Sequence, residues 1–271
     1  GTLCAGGELY IDTGQRTSSE LVAALRASRS TSFFGVPAGH RMLLDGVRRR
    51  GRRDELRCVR ALVSGASSMP PDVLTSLLEN LPWAKIYLTY GLSEASPLVT
   101  VLPPEWIRTK ASSLGRAVDG VELRLEGEDG RITICPGRVG EVLIRGGSVI
   151  DGYLGNDRAN AQSFRDGFLR TGDVAQIDED GCLYFKGRRK DLINRGGEKI
   201  YPEDVEAVLQ SHEAVLHAAV VPCPHRTLDE APFAFVMRRE GCSCDASDLR
   251  AWCAARLAPQ EVPIGVRFVE S

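Results

Sequence analysis

The first ninety residues alternate apolar, strand-like runs with segments whose apolar residues recur at helical spacing. A polar start at Ser18, Ser19 and Glu20 introduces the first helix, the Pro70–Pro71 pair opens another, and Gly65 ends a buried strand. The pattern predicts, in order, a helix at 18–29, a helix at 41–50, a strand at 58–64, a helix from about 70 to 81 and a strand at 85–89. Alternation of this kind favours a parallel sheet flanked by helices.

From Leu114 the pattern changes to short strands separated by glycine turns, which predicts a β-rich subdomain over about 114–189. After residue 190 it predicts a small α+β domain, joined by the basic connector Arg188-Arg189-Lys190. The predicted elements are strands at 121–126, 131–134 and 141–145, a helix at 158–164, then a helix at 203–210, strands at 215–221 and 233–238, a helix at 245–257 and a strand at 266–269. We therefore expect an α/β protein divided into residues 1–189 and 190–271.

One predicted hairpin lies in a segment rich in glycine, acidic and basic residues. Its strands are 174–177 and 182–185, and the run DEDG at 178–181 forms the turn. Folding the chain about that turn brings Asp173 and Arg188 together at the open end. Such a pair is either a structural ion pair or two groups that face a polyhydroxylated anionic ligand such as a nucleotide.

Composition narrows the classes of function. The length of 271 residues fits about two domains, and 43% hydrophobic with 26% charged residues predicts a packed core. A formal net charge of -2 argues against a nucleic-acid surface, and the arginine cluster at 48–53 is explained by a solvated helix end. No apolar run reaches the roughly 20 residues of a membrane span, and no signal peptide is visible. The chain begins at Gly1, so we expect residues to precede it.

The eight cysteines are scattered through apolar segments without regular spacing. A reduced, cytoplasmic protein is the simpler interpretation than a disulfide framework. Cys223 with His225, and Cys242 with Cys244, lack the spacing of zinc fingers or ribbons, so we expect no zinc site there.

Four motifs, in this order, resemble the signature blocks of the adenylate-forming superfamily, which includes acyl-CoA synthetases, aryl-acid and peptide-synthetase adenylation domains and beetle luciferases. They are YGLSE at 90–94, GEVLIRGGSVIDGYL at 140–154, RTGD at 170–173 and GRRKDLINRGGEKIYPEDVE at 187–206. The resemblance covers nearly the whole chain. It implies that a carboxylic acid reacts with ATP and Mg²⁺ to an acyl-adenylate, and that the acyl group then passes to a thiol, most simply that of CoA.

The resemblance also implies roles for single residues in the nucleotide site. Tyr90 would lie against adenine with Gly91 allowing close approach, Ser93 would bind phosphate, and Glu94 would bind Mg²⁺. From the residues alone, Tyr90 could equally be a core residue, and Ser93 with Glu94 could simply start a helical turn. The small residues Gly65, Ala66 and Ser67 resemble the loop that lines the adenine and acyl sites, although they also suit a tight turn.

In the third and fourth motifs, Asp173 resembles the ribose-binding aspartate and Arg188 the arginine that contacts ribose and phosphate. Lys190 matches the hinge about which the small domain turns between the two half-reactions, or it is a solvated linker lysine. Gly196 and Gly197 resemble the glycines that line the pantetheine tunnel of CoA ligases, and the wording RGGEKIYP favours a CoA ligase over a peptide-synthetase module.

Two features of the superfamily are missing from the 271 residues. These are the serine-, threonine- and glycine-rich phosphate loop of the type TSGTTGxPK and the lysine near the C-terminus that stabilises the adenylation transition state. We therefore expect a partial chain that by itself adenylates poorly or not at all. Two alternatives stay open: an aryl- or amino-acid adenylating enzyme that loads a carrier protein, and a noncatalytic nucleotide-binding homologue.

Overall fold

The computed structural model describes residues 5–11, 17–50 and 53–270. They fall into two compact units. The first comprises the described residues within Gly1–Leu123, Ile144–Gly167 and Ile177–Tyr184, and the second those within Arg124–Leu143, Phe168–Gln176 and Phe185–Ser271. The domain boundary predicted at residue 190 stays a prediction.

The helices of the described residues follow the predicted order closely. They are α1 (Ser18–Ala27), α2 (Pro37–Arg50), α3 (Pro71–Asn80), α4 (Asp157–Ser163), α5 (Pro202–Gln210) and α6 (Ala246–Ala254). Short 3-10 turns lie at Arg53–Leu56, Ser93–Ala95, Pro104–Trp106 and Arg189–Asp191. The cap of α1 is Thr17 rather than one of the predicted serines, because its hydroxyl accepts from the Glu20 N–H while the Glu20 carboxylate accepts from the Thr17 N–H.

The strands of the described residues form three sheets. They are β1 (Ser32–Gly35), β2 (Ala61–Ser64), β3 (Lys85–Tyr90), β4 (Thr100–Leu102), β5 (Arg116–Ala117), β6 (Val121–Glu126), β7 (Ile132–Thr133), β8 (Val139–Gly146), β9 (Phe164–Arg165), β10 (Phe168–Ile177), β11 (Leu183–Arg188), β12 (Ile193–Arg195), β13 (Glu198–Ile200), β14 (Val215–His225), β15 (Asp229–Arg238) and β16 (Gly265–Phe268).

The first sheet has the order β1-β2-β3-β4-β5, in which β1, β2 and β3 are parallel and β4 and β5 add antiparallel. The predicted parallel sheet is therefore confirmed, with an antiparallel edge. Helices α1, α2 and α3 cover it around the fully buried Leu43, Leu62 and Leu77. The carboxyl ends of β2 and β3 carry the two predicted ligand loops, which is where such sheets bind ligands.

The second sheet has the order β11-β10-β8-β6-β7. In the third, β13-β12-β15-β14 are neighbours and β16 runs parallel to β15. Helices α5 and α6 pack against it around the buried Val205, Val236 and Leu249, so the small α+β arrangement is confirmed. No helix of the described residues is both long and apolar enough to cross a membrane.

Candidate active site

The loop after β2 makes the sharp turn that its small residues predict. Gly65 is buried, and a Cβ added there would lie 2.6 Å from Thr89 Oγ1. The Thr89 hydroxyl donates to the carbonyl of Ser64 at 3.0 Å, so the ends of β2 and β3 are tied together. Ala66 has a left-handed φ of 68°, and it and Ser67 are exposed. The loop thus turns sharply at the buried Gly65 and leaves the small side chains of Ala66 and Ser67 exposed.

Tyr90 is the last residue of β3, where it pairs with Thr100 of β4. Gly91 follows as the chain turns back on itself. A Cβ at Gly91 would lie 1.5 Å from the carbonyl oxygen of Pro97, so no other residue fits without moving the backbone. The glycine is therefore required by the loop's own closure, whether or not adenine also approaches it.

Ser93 and Glu94 lie in the 3-10 turn Ser93–Ala95. Leu92 occupies the N-cap position of this turn and makes no side-chain hydrogen bond. Ser93 is exposed and does not act as the cap. Glu94 is half-buried, and its Oε1 accepts from the Tyr153 hydroxyl at 3.1 Å. Its carbonyl oxygen accepts from the Ile150 N–H at 2.9 Å. One bond to its carboxylate and one to its backbone carbonyl therefore tie Glu94 to the segment 150–153.

The sequence did not single out Tyr153, although it lies inside the quoted motif at 140–154. Burial, and secondly the Glu94 carboxylate, raise the pKa of the Tyr153 hydroxyl. Tyr153 therefore remains a neutral donor to Glu94 at physiological pH.

Glu94 fits a magnesium role. The described residues hold no group of three or more His, Cys, Asp or Glu that could enclose a metal ion. Mg²⁺ is usually held by one or two carboxylates together with substrate phosphates and water rather than by an all-protein cage. A single oriented glutamate matches that donor set.

Asp173 and Arg188 meet as the hairpin geometry predicted. Arg188 Nε lies 3.3 Å from Asp173 Oδ1, and the turn closes through a bond from the Asp178 N–H to the Cys182 carbonyl at 3.0 Å. Asp173 is 7% exposed, whereas the Arg188 side chain is largely exposed. The pair thus joins a buried carboxylate to an arginine side chain that has space to change its conformation.

The part of β10 just before Asp173 is held by Glu141, a residue that the sequence alone did not identify. Glu141 Oε1 accepts from the Gly172 N–H at 3.2 Å, and its Oε2 accepts from Arg189 Nη1 at 2.5 Å. The Thr171 hydroxyl donates to the Val142 carbonyl at 2.9 Å and accepts from the Asp173 N–H at 3.1 Å. The only sequence signal for Glu141 was its place in the motif at 140–154.

Lys190 is exposed in the turn Arg189–Asp191, which suits either a hinge or a linker. Gly196 and Gly197 form the turn between β12 and β13 with φ of 62° and 95°. The Gly196 N–H donates to Leu228 O at 2.9 Å, and the Gly197 N–H to Asn194 Oδ1 at 3.1 Å. This turn accounts for both glycines, and their contact with pantetheine stays a prediction.

The fold and the motifs that these loops carry are those of the adenylate-forming superfamily, and the comparison with known families agrees. The chain belongs to the family described as AMP-binding enzyme, whose pattern matches residues 1–154, and the pattern of the AMP-binding enzyme C-terminal domain matches residues 204–271.

Named relatives include the 2-succinylbenzoate–CoA ligase of Geobacillus sp. (strain WCH70), 38% identical over 217 residues, or 80% of this chain and 43% of the relative. The feruloyl-CoA synthase of Amycolatopsis sp. is 33% identical over 269 residues, 99% of this chain and 54% of the relative. The ATP-bound structure of MatB from Rhodopseudomonas palustris aligns with a TM-score of 0.89 at 28% identity, over 100% of this chain and 52% of that one. The chain thus spans about half the length of the proteins it matches.

Proposed function

We propose that the full-length protein containing this chain is an ATP- and Mg²⁺-dependent acid–thiol ligase of the acyl-CoA synthetase type. It would activate a small carboxylic acid as an acyl-adenylate and transfer the acyl group to CoA. The observation that carries the proposal is the Asp173–Arg188 pair, a buried carboxylate beside an exposed arginine in a family whose members bind AMP.

Each loop has a part in this proposal. Tyr90 would stack on adenine, the oxygens of Asp173 would accept the ribose hydroxyls, and Ser93 with Arg188 would contact phosphate. Glu94, oriented by Tyr153, would hold Mg²⁺ against the phosphates, and the ion would neutralise charge as the acid's carboxylate attacks the α-phosphorus. Gly65, Ala66 and Ser67 would line the adenine and acyl sites.

The second half-reaction requires a movement that we assign to Lys190. Residues 190–271 would turn about it relative to 1–189, and Gly196 and Gly197 would then approach the thiol. Both named relatives are CoA ligases by name, which favours CoA over a carrier-protein thiol. The seven described cysteines are all free, which supports a reducing compartment such as the cytoplasm.

ATP–pyrophosphate exchange, measured with a panel of carboxylic acids in the full-length protein, tests the adenylation step. Asp173→Ala should reduce exchange roughly 100-fold or more, because the ribose loses its bidentate acceptor. Asp204→Ala is the matched control: it breaks the 3.1 Å Lys186–Asp204 ion pair and should leave exchange near wild type. Unchanged exchange in Asp173→Ala would refute the ribose assignment, and no exchange with any acid would favour the noncatalytic homologue.

CoA-dependent thioester formation tests the second step. Lys190→Pro should retain exchange and lose thioester formation, because proline fixes the backbone φ at the position that must turn. Lys190→Ala should retain both steps. Equal loss of both steps in Lys190→Pro would contradict the hinge assignment, and acyl transfer to a carrier protein but not to CoA would favour the carrier-loading alternative.

A further inference from the structure

Glu141 is a charged residue in the middle of a sheet. It lies in β8, 7% exposed, between neighbouring strands β6 and β10. A buried carboxylate is costly unless both oxygens have partners. The two partners of Glu141 come from different segments of the chain: Gly172 at Oε1 and Arg189 at Oε2.

Both partners are sequence neighbours of residues that have a role in the proposed function. Gly172 immediately precedes Asp173, and Arg189 lies between Arg188 and Lys190. Gly172 has a left-handed φ of 76° and open space around its missing Cβ, so its conformation rather than crowding calls for glycine. The bond from its N–H to Glu141 therefore helps to hold an unusual backbone geometry just before Asp173.

The bond to Arg189 is of a different kind. The Arg189 side chain is 62% exposed and borders a polar cavity of about 180 Å³, so it has room to leave Glu141. The Gly172 bond is made by backbone in a strand and lacks that freedom. One carboxylate thus joins the strand residue before Asp173 to the Arg188–Lys190 connector, which turns in the proposed function.

We propose that Glu141 is a positioning residue that holds Asp173 of β10 and the Arg188–Lys190 connector in the relative position that nucleotide binding needs. This inference rests on the proposed function, because Glu141 acts through Asp173 and the connector. Glu141 itself contacts no substrate in this proposal. Its two oxygens have separable effects: Oε1 governs the geometry of Asp173, and Oε2 governs the connector.

The chain offers a closely matched control. Glu126, in the adjacent strand β6, receives two bonds from the Arg170 guanidinium at 2.9 and 3.0 Å. Its side chain is 9% exposed, against 8% for Glu141. Removing either glutamate therefore breaks a buried ion pair in the same sheet, but of the two residues it is Glu141 that bonds to Gly172 and Arg189.

The experiment compares Glu141→Ala, Glu141→Gln and Glu126→Ala in the full-length protein, with KM for ATP and kcat of exchange measured separately. Glu141→Ala should raise KM for ATP roughly 10-fold, because the ribose carboxylate is misplaced. Glu141→Gln keeps an acceptor oxygen for the Gly172 N–H and should restore KM to within about threefold of wild type. Glu126→Ala should leave KM unchanged even where it lowers the melting temperature.

A second readout does not depend on activity. In the 271-residue chain, amide hydrogen exchange at Gly172 and Asp173 should accelerate in Glu141→Ala and recover in Glu141→Gln, with Glu126→Ala as the reference. Equal changes of the KM for ATP in Glu141→Ala and Glu126→Ala would overturn the proposal. So would a rate of hydrogen exchange at the Gly172 amide that is the same in Glu141→Ala as in wild type. A full-length wild-type protein without ATP–pyrophosphate exchange would refute the proposed function instead. Amide hydrogen exchange would still decide whether Glu141 holds the backbone at Gly172.

Discussion

Glu203, in the first turn of α5, carries a carboxylate oxygen that is buried without a hydrogen-bond partner among the described residues. It lies against Gly187 of β11, where an added Cβ would be 2.4 Å from Glu203 Oε2. Burial, together with the nearby carboxylates of Glu206, Asp191 and Asp204, raises the pKa of Glu203 to about 7. We expect this residue to make the stability of the chain depend on pH.

The sign follows from the two pKa values. Below the unfolded value of 4.5 the carboxyl group is protonated in both states, and Glu203 has no pH-dependent effect. Between 4.5 and about 7 the folded state holds the proton more tightly, so stability falls as pH rises, and above about 7 the full penalty is present. The shift corresponds to about 3 kcal/mol at about 1.4 kcal/mol per pKa unit. Because the side chain is only half-buried, solvent reduces the penalty to about 2 kcal/mol.

Glu203→Gln removes the charge and keeps the shape. Thermal unfolding of the 271-residue chain should show the variant about 4 °C more stable than wild type at pH 8 and equal to it near pH 4.5. The same change at the exposed Glu213 controls for a general effect of net charge. An advantage that is constant across this pH range would indicate packing rather than ionisation, and a wild type more stable at pH 8 would refute the reasoning.

Two further substitutions test the loops of the first unit. Gly91→Ala should destabilise the chain by about 3 kcal/mol, because its Cβ would overlap the Pro97 carbonyl. A free energy of unfolding equal to that of wild type, measured by denaturant titration, would contradict the close approach of Gly91 to Pro97. Tyr153→Phe should raise the Mg²⁺ concentration for half-maximal exchange roughly 10-fold in the full-length protein, because Glu94 loses its orienting donor. Tyr184→Phe removes an equal 3.1 Å bond, to Asp178, and should leave the Mg²⁺ dependence unchanged; the same effect in both variants would remove the specific role of Tyr153.

The features that the sequence predicted well are those that local chemistry determines. The DEDG turn closes through Asp178, whose Oδ1 accepts from the N–H groups of Asp180 and Cys182, and Gly181 takes the left-handed φ of 76°. Once the turn is known, folding the two strands about it brings Asp173 and Arg188 to the same open end of the hairpin. Pro71 at the start of α3 was predictable in the same way.

The features that the sequence did not predict depend on partners distant in the chain. Glu141 is 31 residues from Gly172 and 48 from Arg189, and Tyr153 is 59 residues from Glu94. The Glu141–Gly172 contact requires β8 to lie beside β10, an order that no local pattern contains. The strands β1, β4, β5, β9, β12 and β13 were missed because runs of two to four residues show too little alternation.

This difference affects how strongly each residue supports a function. Gly91, Gly196 and Gly197 are required by turns and close packing, so a noncatalytic homologue with the same fold would need them equally. Ser93 is exposed and does not cap its turn, and Asp173 is a buried carboxylate whose arginine partner is largely exposed. Ser93 and the Asp173–Arg188 pair are therefore the positions at which the proposed ligand contacts are best tested, since the glycines that make the motifs recognisable are needed by the fold in either case.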